Sequence, residues 1–166
     1  MIVFGIDPGS VYTGFGVIKA NPKGDMQHVD SGRICCGRRS FPERLSLIYD
    51  QLSNLLSQYK PEYVVVEQLF VHKNAMSALK LGHARGVAVL AGSQSGAQLV
   101  EYTPRHVKKA LTGYGGANKD QVGYMAKMML ALPVVPVSDA ADALALAMTH
   151  AQILRTQRLT KKEVTI

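Results

Sequence analysis

The chain begins MIVFGIDPGSVYTGFGVIKA (residues 1–20), and the reading of this stretch decides the fold. Residues 2–7, Ile-Val-Phe-Gly-Ile-Asp, have the length and apolar character of a buried strand, and the Pro8-Gly9 turn signal closes it. A second strand follows at once over residues 12–19. The first strand therefore ends on a carboxylate, Asp7. Three readings are open for that acid: a turn residue bonding nearby amides, part of a phosphate cradle, or a metal ligand.

Working outward, residues 27–36 form a third strand candidate beyond the Asn21-Pro22-Lys23-Gly24-Asp25 turn signal. Three strands with short connections predict an antiparallel meander. The period then changes. Over Pro42–Tyr59, residues Leu45, Ile48, Leu52, Leu55, Leu56 and Tyr59 follow helical spacing, with Pro42 suited to a first turn. Tyr63-Val64-Val65-Val66-Glu67 is a compact apolar strand that again ends on a carboxylate. A long helix is expected from about Ala75 to about Ser95. Gly82, Gly86 and Gly92 lower its propensity but allow close packing, as across a dimer interface. Gln98–Tyr102 reads as a fifth strand and Pro104–Leu111 as a short helix. The glycine-rich loop TGYGGANK (112–119) leads to a helix from about Lys119 to Leu130. Pro133 and Pro136 break the chain, and Ser138 is placed as the N-cap of a last helix to about Leu154.

This order predicts an α/β fold: a five-stranded mixed sheet, antiparallel meander plus parallel strands, with helices on both faces. One domain is expected over 1–154, followed by a basic, disordered tail over 155–166. The 166 residues are 47% hydrophobic and 19% charged, which argues for a folded domain and against disorder. Nineteen Lys and Arg (19) against 12 Asp and Glu give a formal net charge of +7. That fits a polyanionic partner, or only a basic surface. The 2 cysteines, Cys35 and Cys36, are neighbours on a strand and so face opposite sides, which argues against a disulfide between them. There is no CxxC pair and no His/Cys set with zinc spacing. A reducing, cytoplasmic setting is expected, with no signal peptide and no membrane span.

Asp7 and Glu67 end strands that look buried, where an acid is costly unless compensated. Asp139 and Asp142 are three apart and share a helix face. If strands 1 and 4 lie side by side and parallel, Asp7 and Glu67 meet at their carboxyl ends, the edge where open α/β sheets build sites. A last helix packed there would bring four acids together. Hard divalent cations suit such a cluster, since Mg²⁺ takes oxygen ligands and keeps several waters. Two such ions ~3.5–4 Å apart serve phosphodiester hydrolysis. Each acid also has an ordinary structural reading: Asp7 as a turn residue, Glu67 paired to an Arg, Asp139 and Asp142 complementing a helix dipole.

GIDPGSVYTGFGVI, VVVEQLFVHKNAMSALKLGHARGVA, EYTPRHVKKALTGYGGANKDQV and SDAADALALAMTHA together resemble the RuvC family of bacterial Holliday-junction resolvases, collinearly from residue 2 to about residue 151. The resemblance implies the RNase H-like fold. It assigns catalytic and metal-binding roles to Asp7, Glu67, Asp139 and Asp142, with two Mg²⁺ ions per site and Mn²⁺ able to substitute. Some relatives carry histidine at the position of Asp139. It further implies a homodimer that binds four-way junction DNA, nicks two strands of like polarity symmetrically and prefers a short T-rich sequence. The expected products carry 5′-phosphate and 3′-hydroxyl ends, and the expected partners are the RuvA–RuvB branch-migration proteins. Phe70 matches the aromatic that such proteins direct into the junction, where a ring can stack on unpaired bases beside Lys73 and Asn74. Lys108 and Lys119 match basic residues at the DNA. A core role for Phe70 and a solvated one for the lysines are the ordinary alternatives. Arg85 has no assignment. The 112–119 loop can let amides approach phosphate, though such loops are common. The five histidines form no ligand set.

Three competing functions remain at this point. One is another RNase H-like nuclease, cutting the RNA strand of hybrids. The second is an ATP-binding module of the actin/Hsp70 type, whose two large lobes 166 residues are too few to build. The third is a non-catalytic DNA-binding protein, which leaves the strand-end acids unexplained.

Overall fold

A computed structural model describes residues 1–68 and 74–163, apart from the side chains of 161–163. Its elements are β1 (Ile2–Asp7), β2 (Tyr12–Ala20), β3 (Met26–Cys35), α1 (Phe41–Tyr59), β4 (Tyr63–Glu67), α2 (Ala75–Gln94), β5 (Gln98–Tyr102), α3 (Pro104–Thr112), α4 (Lys119–Met129) and α5 (Ser138–Glu163). The sheet order is β3-β2-β1-β4-β5. β1 pairs antiparallel with β2, and β2 with β3, while β1–β4 and β4–β5 are parallel. The expected meander plus parallel strands is what forms.

β1 and β4 read as continuous apolar runs because both faces of the sheet are covered. Val3 and Val65 point into one core with Val107, Leu111, Val122, Leu144 and Met148, from α3, α4 and α5. Phe4, Ile6, Val64 and Val66 point into the other, against Ile48, Leu52 and Leu56 of α1 and Ala84 and Ala88 of α2. Cys35 is exposed and Cys36 buried, the alternation a strand requires.

α5 lies unusually close to the sheet. A Cβ on Gly5 would sit 1.9 Å from the Ala143 carbonyl oxygen, and one on Gly14 2.0 Å from that of Asp139. On Gly16 it would be 2.6 Å from the Leu144 nitrogen. Only glycine permits this approach. The space at Gly5 is therefore taken by helix backbone, not left clear for a ligand.

Two expectations for α5 change. Ser138 is its first residue rather than its cap: the Ala141 N–H donates to the Val137 carbonyl at 2.9 Å. The helix also continues past Leu154 to Glu163. Residues 155–163 contain neither Gly nor Pro, and the Thr156 and Thr160 hydroxyls donate to the carbonyls of Gln152 and Thr156. Among the described residues no helix is long and apolar enough to cross a membrane.

Candidate active site

The register Val3↔Tyr63 through Ile6↔Val66 sets β1 and β4 level, so that Asp7 and Glu67 emerge together at their carboxyl ends. α5 crosses the same edge with Asp139 and Asp142 near its start. Burial pushes the Asp7 carboxyl up to about 8, helped by the negative charges of Glu67, Asp142 and Asp139, while Lys119 opposes the shift. Glu67 rises to about 7, chiefly through burial and then through Asp142. Lys119, Lys108 and a hydrogen bond with Asp7 pull Glu67 the other way. Asp7 thus lies within reach of the charges of the other three acids.

The outer two acids are each engaged by a base. Lys119 Nζ lies 3.1 Å from Asp142 Oδ2 and 3.5 Å from the Ser138 hydroxyl. Its own pKa is raised, foremost by Asp142. Arg33 Nη1 lies 3.8 Å from Asp139 Oδ2, and its guanidinium rests 4.5 Å from the centre of the Tyr12 ring. In keeping with these partners, no three His, Cys, Asp or Glu side chains among the described residues converge tightly enough for a shared ion. The donor chemistry nonetheless suits one. Four carboxylates supply only hard oxygen ligands, and their mutual repulsion favours a divalent cation over any neutral ligand.

The turn after Asp7 bears on the phosphate-cradle reading. The Gly9 N–H donates to Thr13 Oγ1 at 3.3 Å, and the Thr13 hydroxyl returns a bond to the Gly9 carbonyl at 2.8 Å. Thr13 is fully buried. The turn is closed by its own side chain, which leaves the Gly9 amide engaged. The 112–119 loop is similar: Gly113 takes φ 76° as the C-cap of α3, and Asn118 caps α4 by accepting from the Gln121 N–H.

Lys108, on α3, is near enough to Glu67 to lower its pKa. Asn74 caps α2, its side chain accepting from the Ser77 N–H at 3.1 Å, so its oxygen is occupied by the helix end. Phe70 and Lys73 lie outside the described residues. Sequence reasoning missed Arg33. It reaches the acids because β3 sets it opposite Gly14, a register that the weakly alternating stretch 27–36 does not announce.

The sheet order, the parallel β1–β4 pair and the acids beneath α5 define the class: an RNase H-like α/β protein with a carboxylate site at the switch between antiparallel and parallel strands. Known proteins narrow this. Residues 3–150 match the family model for crossover junction endodeoxyribonuclease RuvC. A protein of that name from Alkalilimnicola ehrlichii is 49% identical over 148 residues, covering 89% of each chain. The structure of Thermus thermophilus RuvC superposes with a TM-score of 0.84 at 34% identity, over 95% of this chain and 97% of that one. T. thermophilus RuvC in complex with a Holliday junction substrate gives 0.87 at 33% identity, over 95% and 96%. The chain belongs to the RuvC family of crossover junction endodeoxyribonucleases.

Proposed function

We propose that this chain resolves four-way (Holliday) DNA junctions by metal-dependent phosphodiester hydrolysis, with Asp7, Glu67, Asp139 and Asp142 as the acids that hold the ions. The observation that carries the reading is the pair Asp7 and Glu67, half-buried side by side with raised pKa values where two parallel strands end. No structural purpose in the sheet requires two acids there, and both weaken the fold once ionised. Two Mg²⁺ ions, or Mn²⁺ in their place, fit this all-oxygen set best. Bound there, a divalent cation supplies Lewis acidity, lowering the pKa of water and stabilising charge on the leaving oxygen.

The chain's own residues do the rest. Asp7 and Glu67 sit at the ends of two interior strands, each paired on both sides, and so set where the scissile phosphate must lie. With a cation bound, Asp139 and Asp142 would be the acids that hold it, in place of their contacts with Arg33 and Lys119. Lys119 and Arg33, with Lys108 beside Glu67, would then face the phosphates of the bound strand, which fits the net charge of +7.

Cutting two strands symmetrically needs two sites, and α2 offers a surface for a second copy. Met76, Leu79 and Leu90 are 63%, 57% and 48% exposed, and nothing lies within 4 Å of where a Cβ would stand on Gly82 or Gly86. A helix with this face can approach its own copy closely, which supports a homodimer.

The Asp7→Asn variant tests the catalytic assignment. Its affinity for a four-way junction stays at the wild-type level, while cleavage in Mg²⁺ falls by ~10²–10³-fold or more. Near-wild-type nicking by Asp7→Asn would remove Asp7 from the mechanism.

A further inference from the structure

The peptide unit that follows Glu67 is held from both sides. Its N–H, that of Gln68, donates to the Tyr102 carbonyl at 2.9 Å and extends the β4–β5 ladder by one bond. Its carbonyl, that of Glu67, accepts from Arg85 Nε at 3.2 Å. The same guanidinium forms an ion pair with the Glu101 carboxylate on β5 through its Nη2. Arg85 and Glu101 are both largely shielded, with 26% and 30% of their side chains exposed.

The sequence explains why an arginine is needed. Continuing the β1–β4 register past Ile6↔Val66 sets Glu67 opposite Asp7. In a parallel ladder the next donor to the Glu67 carbonyl would come from Pro8, which has no N–H. The ladder therefore stops one bond short, on the residue whose carboxylate must be held still. Arg85 reaches in from α2 and replaces the missing donor. Its second arm, fixed by Glu101, keeps the guanidinium from swinging away.

We infer that Arg85 is a positioning residue for Glu67: it clamps the terminal peptide of β4 and so fixes the Glu67 carboxylate against Asp7. Because α2 also carries the exposed Leu79–Gly82–Gly86–Leu90 face, the clamp ties the site to that helix. The inference rests on the assignment of Glu67 proposed above.

The test compares wild-type, Arg85→Gln, Arg85→Lys and Glu101→Gln full-length proteins in four measurements. These are single-turnover cleavage of a mobile junction in Mg²⁺, junction Kd in chelator, Mn²⁺ affinity by calorimetry, and mass by sedimentation. Arg85→Gln lowers the cleavage rate constant and weakens Mn²⁺ binding by about 10–100-fold each, with junction Kd and mass unchanged. Arg85→Lys, which can satisfy only one of the two acceptors, falls between, and Glu101→Gln shows a smaller loss of the same kind. Wild-type cleavage and Mn²⁺ affinity in Arg85→Gln would overturn the inference. So would losses of junction affinity or of dimer mass in proportion to the loss of cleavage. If Arg85→Gln does not fold, Arg85→Lys and Glu101→Gln decide by the same criteria. A wild-type protein that cuts no junction, yet loses Mn²⁺ affinity on Arg85→Gln, would sink the proposed activity and leave the clamp standing.

Discussion

Asp7 is held in the folded chain mostly as the neutral acid near neutral pH, because burial and three neighbouring carboxylates oppose its charge. The sign of the consequence follows from linkage. With a folded pKa of about 8 against the ordinary carboxylate value of 3.8, the native state binds the extra proton across that interval, so the group's stabilising contribution is full below 3.8 and is lost as pH rises to about 8. Glu67 acts the same way up to about 7. In chelator, Asp7→Asn should therefore gain in Tm relative to wild type as pH is raised from 5 to 8, and level off above. A difference that stays flat over that range would show that Asp7 does not titrate there. The same protons compete with cations. Calorimetric Mn²⁺ affinity should rise from pH 6 to pH 8, with proton release that diminishes toward pH 8; affinity independent of pH would contradict the assignment. The four acids were legible in the sequence because two end apolar strands and two share a helix face. Arg33 and the Arg85 clamp were not, since each depends on register between distant segments.

α5 shows how an element, rather than a residue, builds the site. Three glycines on β1 and β2 admit its backbone to the sheet, and that approach delivers Asp139 and Asp142 to the edge where Asp7 stands. Periodicity revealed the helix but not its depth, because alanine-rich sequence and scattered glycines carry no signal of contact until the pairing is known. Gly5 makes room for Ala143. Gly14→Ala should be destabilised by roughly 1–3 kcal/mol or more, since its Cβ would meet helix backbone that cannot yield. Denaturant unfolding measures this. A Gly14→Ala protein as stable as wild type would mean that α5 does not sit so close. The glycines of α2 predict the reverse, for Gly86 faces open space and alanine there should cost the isolated fold nothing.

At the scale of the molecule, two cores cover the two faces of one sheet, and the faces have different duties. α3 and α4 carry Lys108 and Lys119 and α5 carries Asp139 and Asp142 on one side, while α2 turns an apolar, glycine-notched face outward on the other. If that face meets a second copy, Gly86→Arg should leave the fold intact by circular dichroism and convert the sedimenting species to monomer. A dimer that survives Gly86→Arg would place the contact elsewhere. The mixed five-stranded sheet could be read from apolar runs and turn signals, because β1 and β4 are buried on both faces and declare themselves; the order β3-β2-β1-β4-β5 could not. Substrate choice could not, and entered only through the resemblance to a known family.

A carboxylate site of this kind should cut four-way junctions, and only with a divalent cation. The most direct measurement offers the wild-type protein a mobile four-way junction, plain duplex DNA and an RNA–DNA hybrid, each with Mg²⁺ and with chelator. Paired nicks in the junction with Mg²⁺, none in chelator, and intact duplex and hybrid are the predicted result. Cleavage of the hybrid's RNA strand in preference to the junction, or junction cleavage that persists in chelator, would contradict it.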